Sequence, residues 1–449
     1  MSIPRLSTFL VVLLPTFWTA AVSVRSSTLL LARSHSLLSP NTGAPLTVWA
    51  ASLTAQSAAD VTRVATLTAA KAKTKSKSKG RSFVPIAPGR QILSIPNYVA
   101  RARLGTSPQT LLVAIDPSND AAWIPCSACV GCAPKSSPSF APTDSSTYRP
   151  VRCGSPQCAQ VPGAASCPGG AGASCAFNLS YGSSTFQAVL GQDVLALEGA
   201  GAASSYTFGC LRVVTGRSVP PQGLLGFGRG PLSFLSQTKD TYGLVFSYCL
   251  PSYKSSNFSG TLRLGPAGQP KRIKTTPLLY NPHRPTLYYV DMVGIHVGGR
   301  AVAVPASALA SFDPATGTGG TIVDAGTMFT RLSPPVYAAV RDAFRRKARA
   351  PVSAPLGGFD TCYNVTGLRV PSVTFAFAGG AGAAVTLPEE NVMIHSSSGG
   401  VTCLAMASGS SEGVNAGLNV LASMQQQNHR VLFDVANGRV GFSRELCTA

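Results

Sequence analysis

From Tyr98 onward the apolar positions fall in short runs of about five to eight residues, punctuated by Gly, Pro and Ser, the pattern of strands and turns. Leu111 to Ile115, Asp193 to Leu197, Thr261 to Leu264 and Val431 to Phe433 are such runs. Helical periodicity is confined to short pieces, chiefly Pro334 to Arg349, where Val336, Val340, Ala343 and Phe344 share one face opposite Arg341, Arg345 and Arg346. That basic face predicts a solvated helix surface. The strand pattern also repeats. One unit opens with Tyr98-Val99 and reaches Leu111-Leu112-Val113-Ala114-Ile115-Asp116-Pro117-Ser118. A second opens with Tyr288-Tyr289-Val290 and reaches Gly320-Thr321-Ile322-Val323-Asp324-Ala325-Gly326-Thr327. Each sends an apolar strand into an Asp at a tight turn. The expected fold is therefore all-β and bilobal, with two similar lobes and a cleft between them that receives one carboxylate from each.

Composition agrees with strands and turns: Gly (44) and Pro (34) are plentiful and only 12% of residues are charged. The N-terminus carries Arg5, an apolar stretch from Phe9 to Val22 broken by Pro15, and small residues at Ala20, Ala21 and Ser23. This predicts a signal peptide over residues 1–23, too short and broken to span a bilayer. Residues 24–81 are Ala/Ser/Thr-rich and end in alternating lysines from Lys71 to Lys79, which predicts a removable pro-segment. An N-terminal β lobe with a cysteine-rich insert is expected over 82–280 and a C-terminal β lobe over 281–449. No later stretch reaches membrane-spanning length, and Glu445-Leu446-Cys447 has no apolar tail of the GPI kind. The expected product is a soluble, secreted, extracellular protein of the apoplast or cell wall.

Charge changes the picture only in part. The net charge is +20, but the first 90 residues hold eleven Lys/Arg and one acidic residue, so half of the excess lies there. No basic patch interleaved with aromatics remains, which argues against nucleic acid as a partner. The dispersed positive charge predicts salt-sensitive adsorption to acidic cell-wall polysaccharide. Twelve cysteines, an even number, point to six disulfides formed in an oxidising compartment. Cys126, Cys129 and Cys132 have the look of a metal knuckle, but no His lies near them, so no metal site is expected. Gly226-Phe227-Gly228-Arg229-Gly230 lacks the Gly-Lys-Ser/Thr ending of a phosphate loop, and His395 and His429 are isolated. Sequons at Asn178, Asn257 and Asn364 are expected glycosylation sites.

Paired strand-end carboxylates have a definite chemistry. Within hydrogen-bond distance the two keep one proton between them. The ionised partner can draw a proton from a trapped water while the protonated one polarises a carbonyl, so an amide can be hydrolysed without metal or covalent intermediate.

From about Phe83 to Ala449 the chain resembles the pepsin-like aspartic proteases, specifically the secreted plant branch related to nepenthesins. Asp116-Pro117-Ser118 and Asp324-Ala325-Gly326-Thr327 stand where that family has its two Asp-Thr/Ser-Gly turns. Ala122-Trp123-Ile124-Pro125-Cys126 resembles the stretch bearing the family's tryptophan. Phe177-Asn178-Leu179-Ser180-Tyr181-Gly182 resembles its flap. Gly223-Leu224-Leu225-Gly226-Phe227-Gly228 and Asn419-Val420-Leu421-Ala422-Ser423 resemble the apolar loops behind each Asp. The resemblance implies an acid endopeptidase and monomer that needs no cofactor and acts on extended polypeptides. Asp116 and Asp324 would be catalytic, and Tyr181 would close over the substrate with Trp123 hydrogen-bonded to its hydroxyl. Ser118 and Gly326 would support the dyad through backbone N–H groups, and Thr327 through its hydroxyl. It also implies disulfides Cys126–Cys129, Cys132–Cys210, Cys153–Cys175, Cys158–Cys167, Cys249–Cys447 and Cys362–Cys403.

The chain departs from the family at the dyad. Pro117 and Ala325 lack the hydroxyls that tie the two loops together, Asn119 stands in place of a supporting hydroxyl residue, and Ala422 replaces a Gly behind Asp324. These losses motivate a second expectation, a catalytically impaired binding protein on the same fold, such as an inhibitor of a cell-wall glycoside hydrolase.

Overall fold

A computed structural model describes residues 82–132, 137–170, 172–379, 382–396 and 400–447. The expected signal peptide and pro-segment lie outside the described residues. The strands that position the site are β1 (Ser82–Pro88), β2 (Tyr98–Leu104), β3 (Gln109–Asp116), β4 (Trp123–Val130), β5 (Ala176–Tyr181), β6 (Ser184–Leu197), β7 (Ala202–Thr215) and β8 (Leu224–Gly226). They are followed by β9 (Val245–Cys249), β10 (Gly260–Leu264), β11 (Lys274–Pro277), β12 (Thr321–Asp324), β13 (Thr330–Leu332), helix α1 (Pro334–Ala348), β14 (Asn419–Ala422), β15 (His429–Asp434) and β16 (Arg439–Arg444).

One long sheet runs β11-β16-β15-β9-β10-β1-β2-β3-β8-β4-β7-β6-β5. Its first part is a seam to which the start, middle and end of the described chain all contribute, with β9 lying against β15 from Val245↔Asp434 to Cys249↔Arg430. Aromatic side chains fill the space behind that seam. Phe246 stacks on Phe433 at 4.7 Å, and Tyr288 meets Phe433 edge-on at 4.5 Å. The Tyr288 hydroxyl donates to the Phe227 carbonyl at 2.6 Å, tying the start of the second repeat to the loop behind the first Asp.

The sequence repeat is also a structural one. β3 runs parallel to β8 with Asp116 opposite Gly226, and β12 runs parallel to β14 with Asp324 opposite Ala422. In the first lobe a Cβ at position 226 would come within 2.5 Å of the Ala121 and Asn119 carbonyl oxygens, so only glycine lets β8 approach. In the second, the Ala422 methyl is fully buried behind Asp324. The expected helix is present as α1, which buries Val336, Tyr337, Val340 and Phe344. Its basic face is not merely solvated: Arg345 donates to the Asp360 carbonyl at 2.6 Å and to Thr361 Oγ1 at 3.0 Å.

The twelve cysteines form six disulfides, and Cys249–Cys447 and Cys362–Cys403 pair as expected. The other four expected pairings are corrected. The structure joins Cys126–Cys210, Cys129–Cys132, Cys153–Cys167 and Cys158–Cys175. β4 bulges between Pro125 and Val130, where Ala128 takes a φ of +68°, so the spacing of Cys126 and Cys129 along a regular strand does not set their partners. Cys126 instead shares a face with Ile124, which pairs with Cys210 across the buried β4–β7 ladder. Cys129 and Cys132 then close the turn at Gly131. In the insert, the sulfurs of Cys153, Cys158 and Cys167 lie within 4.8 Å of one another, so spacing alone does not choose a partner. The buried Cys158 joins the buried Cys175, while Cys153 takes the exposed Cys167.

Candidate active site

The two aspartates end parallel strands from the two repeats, and both are fully buried. Pro117 fixes its own φ at the turn after Asp116. The chain then folds back so that the Ser118 N–H donates to Asp116 Oδ1 at 2.9 Å. Gly326 N–H does the same for Asp324 Oδ1, also at 2.9 Å. Each turn is braced from behind by its apolar loop, through Phe227 N–H to the Asp116 carbonyl at 2.7 Å and Ser423 N–H to the Thr327 carbonyl at 2.8 Å.

Both outer oxygens are supported. Thr327 Oγ1 donates to Asp324 Oδ2 at 2.6 Å. Asn119 Nδ2 donates to Asp116 Oδ2 at 2.8 Å, so the amide fills the place of the missing hydroxyl rather than leaving a loss. Ser118 does more than its backbone promised. Its Oγ lies 3.0 Å from Asp116 Oδ1 and 3.3 Å from Asp324 Oδ1, touching both carboxylates.

β5 and β6 form a hairpin whose turn, at Gly182 with φ +56°, leaves no room for a Cβ because the Ser218 side chain would lie 2.7 Å away. The hairpin brings Tyr181 onto the aspartates, where its hydroxyl donates to Asp116 Oδ2 at 3.1 Å and accepts from Asn97 Nδ2 at 3.1 Å. Here the structure corrects the expected partner. Trp123 does not bond that hydroxyl but meets the Tyr181 ring edge-on at 5.1 Å, with Phe186 at 4.9 Å on its other side. Next to the hairpin lies a cleft of about 670 Å³ lined by Leu179, Phe186, Val213, Asn178 and Asp120. Asn178 is exposed on this cleft, and Asn257 and Asn364 are exposed elsewhere.

Two functional neighbours were missed in the sequence. Asn97 sits one residue before β2, and nothing local marks it as a partner of a residue 84 positions away. Asp120 offered a signal: it is a second carboxylate in the turn that follows Asp116, in a chain with 17 acidic residues in 449. It accepts from Gly230 N–H at 2.6 Å and from the Thr286 hydroxyl, linking the first turn to the start of the second repeat. Burial pushes its carboxyl up to about 6, against the opposing hydrogen bonds from Thr286 and Gly230 and the charge of Arg229.

The families described as Xylanase inhibitor N-terminal and Xylanase inhibitor C-terminal match residues 98–266 and 287–444. Aspartyl protease 25 of Oryza sativa subsp. japonica is 49% identical over 386 residues, covering 82% of this chain and 85% of its own. Aspartyl protease AED3 of Arabidopsis thaliana is 46% identical over 368 residues, covering 81% and 80%. The solved structure of edgp superposes with a TM-score of 0.66 at 22% identity, covering 83% of this chain and 97% of that one, a likeness of fold.

Proposed function

The chain belongs to the plant pepsin-like aspartic proteases, and from that premise we propose that it is a secreted endopeptidase that hydrolyses polypeptides at acidic pH. The observation that carries this reading is the completeness of the hydrogen-bond shell around both aspartates despite Pro117 and Ala325: each outer oxygen and each inner oxygen has a donor. In this reading Asp116 and Asp324 share one proton. The ionised carboxylate takes a proton from a water held between them as its oxygen attacks the scissile carbonyl. The protonated carboxyl gives its proton to the carbonyl oxygen as charge builds there; its partner then passes the proton it took from water to the nitrogen, and as the amine leaves, a hydroxyl of the intermediate gives its proton back to the first carboxylate. Tyr181 moves off Asp116 to admit the substrate and closes over it. An extended segment pairs with the edge of the hairpin, and its apolar side chains enter the cleft lined by Leu179, Phe186 and Val213. A glycan on Asn178 would stand at the rim of that cleft.

The second reading, a binding protein that inhibits a cell-wall glycoside hydrolase, is favoured by one observation: neither Pro117 nor Ala325 offers a hydroxyl to the facing loop. The matching family descriptions name xylanase inhibitors. Cleavage of denatured globin between pH 3 and pH 6 separates the two. The protease reading expects activity that pepstatin blocks and that Asp116→Asn and Asp324→Asn each abolish. A folded, processed sample no more active than the double variant sinks it.

A further inference from the structure

Ser118 places a hydroxyl between the two inner carboxylate oxygens, 3.0 Å from one and 3.3 Å from the other, although these belong to residues 208 positions apart, Asp116 and Asp324. A hydroxyl has one proton to give and lone pairs to receive another. Between two ionised carboxylates it can satisfy only one. Between a carboxylate and a carboxylic acid it satisfies both, accepting from the acid and donating to the ionised partner.

We propose that the Ser118 hydroxyl is a proton bridge that holds the two carboxylates in their singly protonated state and carries the proton between them. This rests on the reading of Asp116 and Asp324 as a proton-sharing pair. The transfer is balanced. The proton on Asp324 Oδ1 passes to Ser118 Oγ while the serine's own proton passes to Asp116 Oδ1. One O–H bond breaks and one forms at each hop, and the serine ends unchanged. The backbone donors Ser118 N–H and Gly326 N–H meet the same two oxygens at equal distance, 2.9 Å, so neither end of the chain is favoured by its backbone partner. Among the described residues, the titratable groups facing the pair from other elements are phenols, Tyr181 on the hairpin and Tyr248 on β9, the latter pushed up by burial. Neither replaces the bridge: Tyr181 reaches the outer oxygen of Asp116, and the Tyr248 hydroxyl donates to Gln426 Oε1 at 2.5 Å.

The test follows the carboxylates directly, by 13C NMR of aspartate-labelled protein from pH 2 to pH 8, with signals assigned through Asp116→Asn and Asp324→Asn. The proposal expects the upper titration step of the pair to fall by about one pH unit in Ser118→Ala and in Ser118→Gly, and to stay in place in Ser118→Thr. In globin cleavage, the alkaline limb of the pH profile should move with it, with kcat falling about tenfold and KM changing less than about twofold. Melting curves of the three variants confirm that they are folded. An upper step that does not move in folded Ser118→Ala overturns the bridge, even if kcat drops. A shifted step in a protein that cleaves nothing upholds the bridge and overturns the protease reading alone.

Discussion

Asp120 couples the protein's stability to pH. Its folded carboxyl titrates at about 6 because it is buried, whereas an unfolded Asp titrates near 3.9. Since the folded value is raised, its contribution is fully present below about pH 3.9 and is lost as pH rises through about 6, by up to about 3 kcal/mol. The melting temperature of the wild type should therefore fall by about 4 °C more than that of Asp120→Asn between pH 4 and pH 7.5. Parallel melting curves for the two proteins would refute this account. At this scale the sequence revealed a residue when its chemistry followed from its place in a local frame. Asp116 and Asp324 stood out because the same strand and turn preceded both. The Ser118 hydroxyl could not, because the contact that matters is to a residue 206 positions away and exists only when two turns meet.

Among elements, β15 illustrates how a buried charge fixes a strand. Arg430 is fully buried in it, donating to Glu445 at 2.5 and 3.0 Å and to the Thr261 carbonyl and hydroxyl on β10 at 3.1 and 2.7 Å. Burial raises the Glu445 carboxyl, but the hydrogen bonds and charge of Arg430, with Arg263 beside it, outweigh this and hold it below its ordinary value. Glu445→Gln leaves the guanidinium in the core without its counter-charge and should destabilise the fold by about 2 kcal/mol, less than for a fully buried pair because Glu445 remains 31% exposed. Urea unfolding at pH 7 measures it, and an unchanged midpoint would contradict the role. Helix α1 and the short strands were legible from periodicity, since each buries a face along its own length. The disulfide partners were not, because cysteine parity fixes how many bridges form while the β4–β7 ladder decides that Cys126 meets Cys210.

At the scale of the whole molecule, the ten positive charges in excess beyond residue 90 are spread over the sequence, so attraction to a polyanion should be long-range and weak. Retention on immobilised pectin should be clear at about 20 mM salt and lost by about 0.3 M, as the Debye length shortens. Retention independent of salt would instead indicate a specific site. The two-lobed plan was visible in the repeated unit, but the seam was not, since the pairing of β9 with β15 leaves no local pattern in either strand. That seam also sets a timetable for synthesis. When β9 leaves the ribosome its partner has not yet been made, so one edge of the growing sheet stays open until β15 follows. Cys249 must likewise remain unpaired, or pair wrongly, until Cys447 arrives 198 residues later. The molecule is thus closed by its last strands, and for most of its birth it is a half-built sheet that needs shelter from other chains.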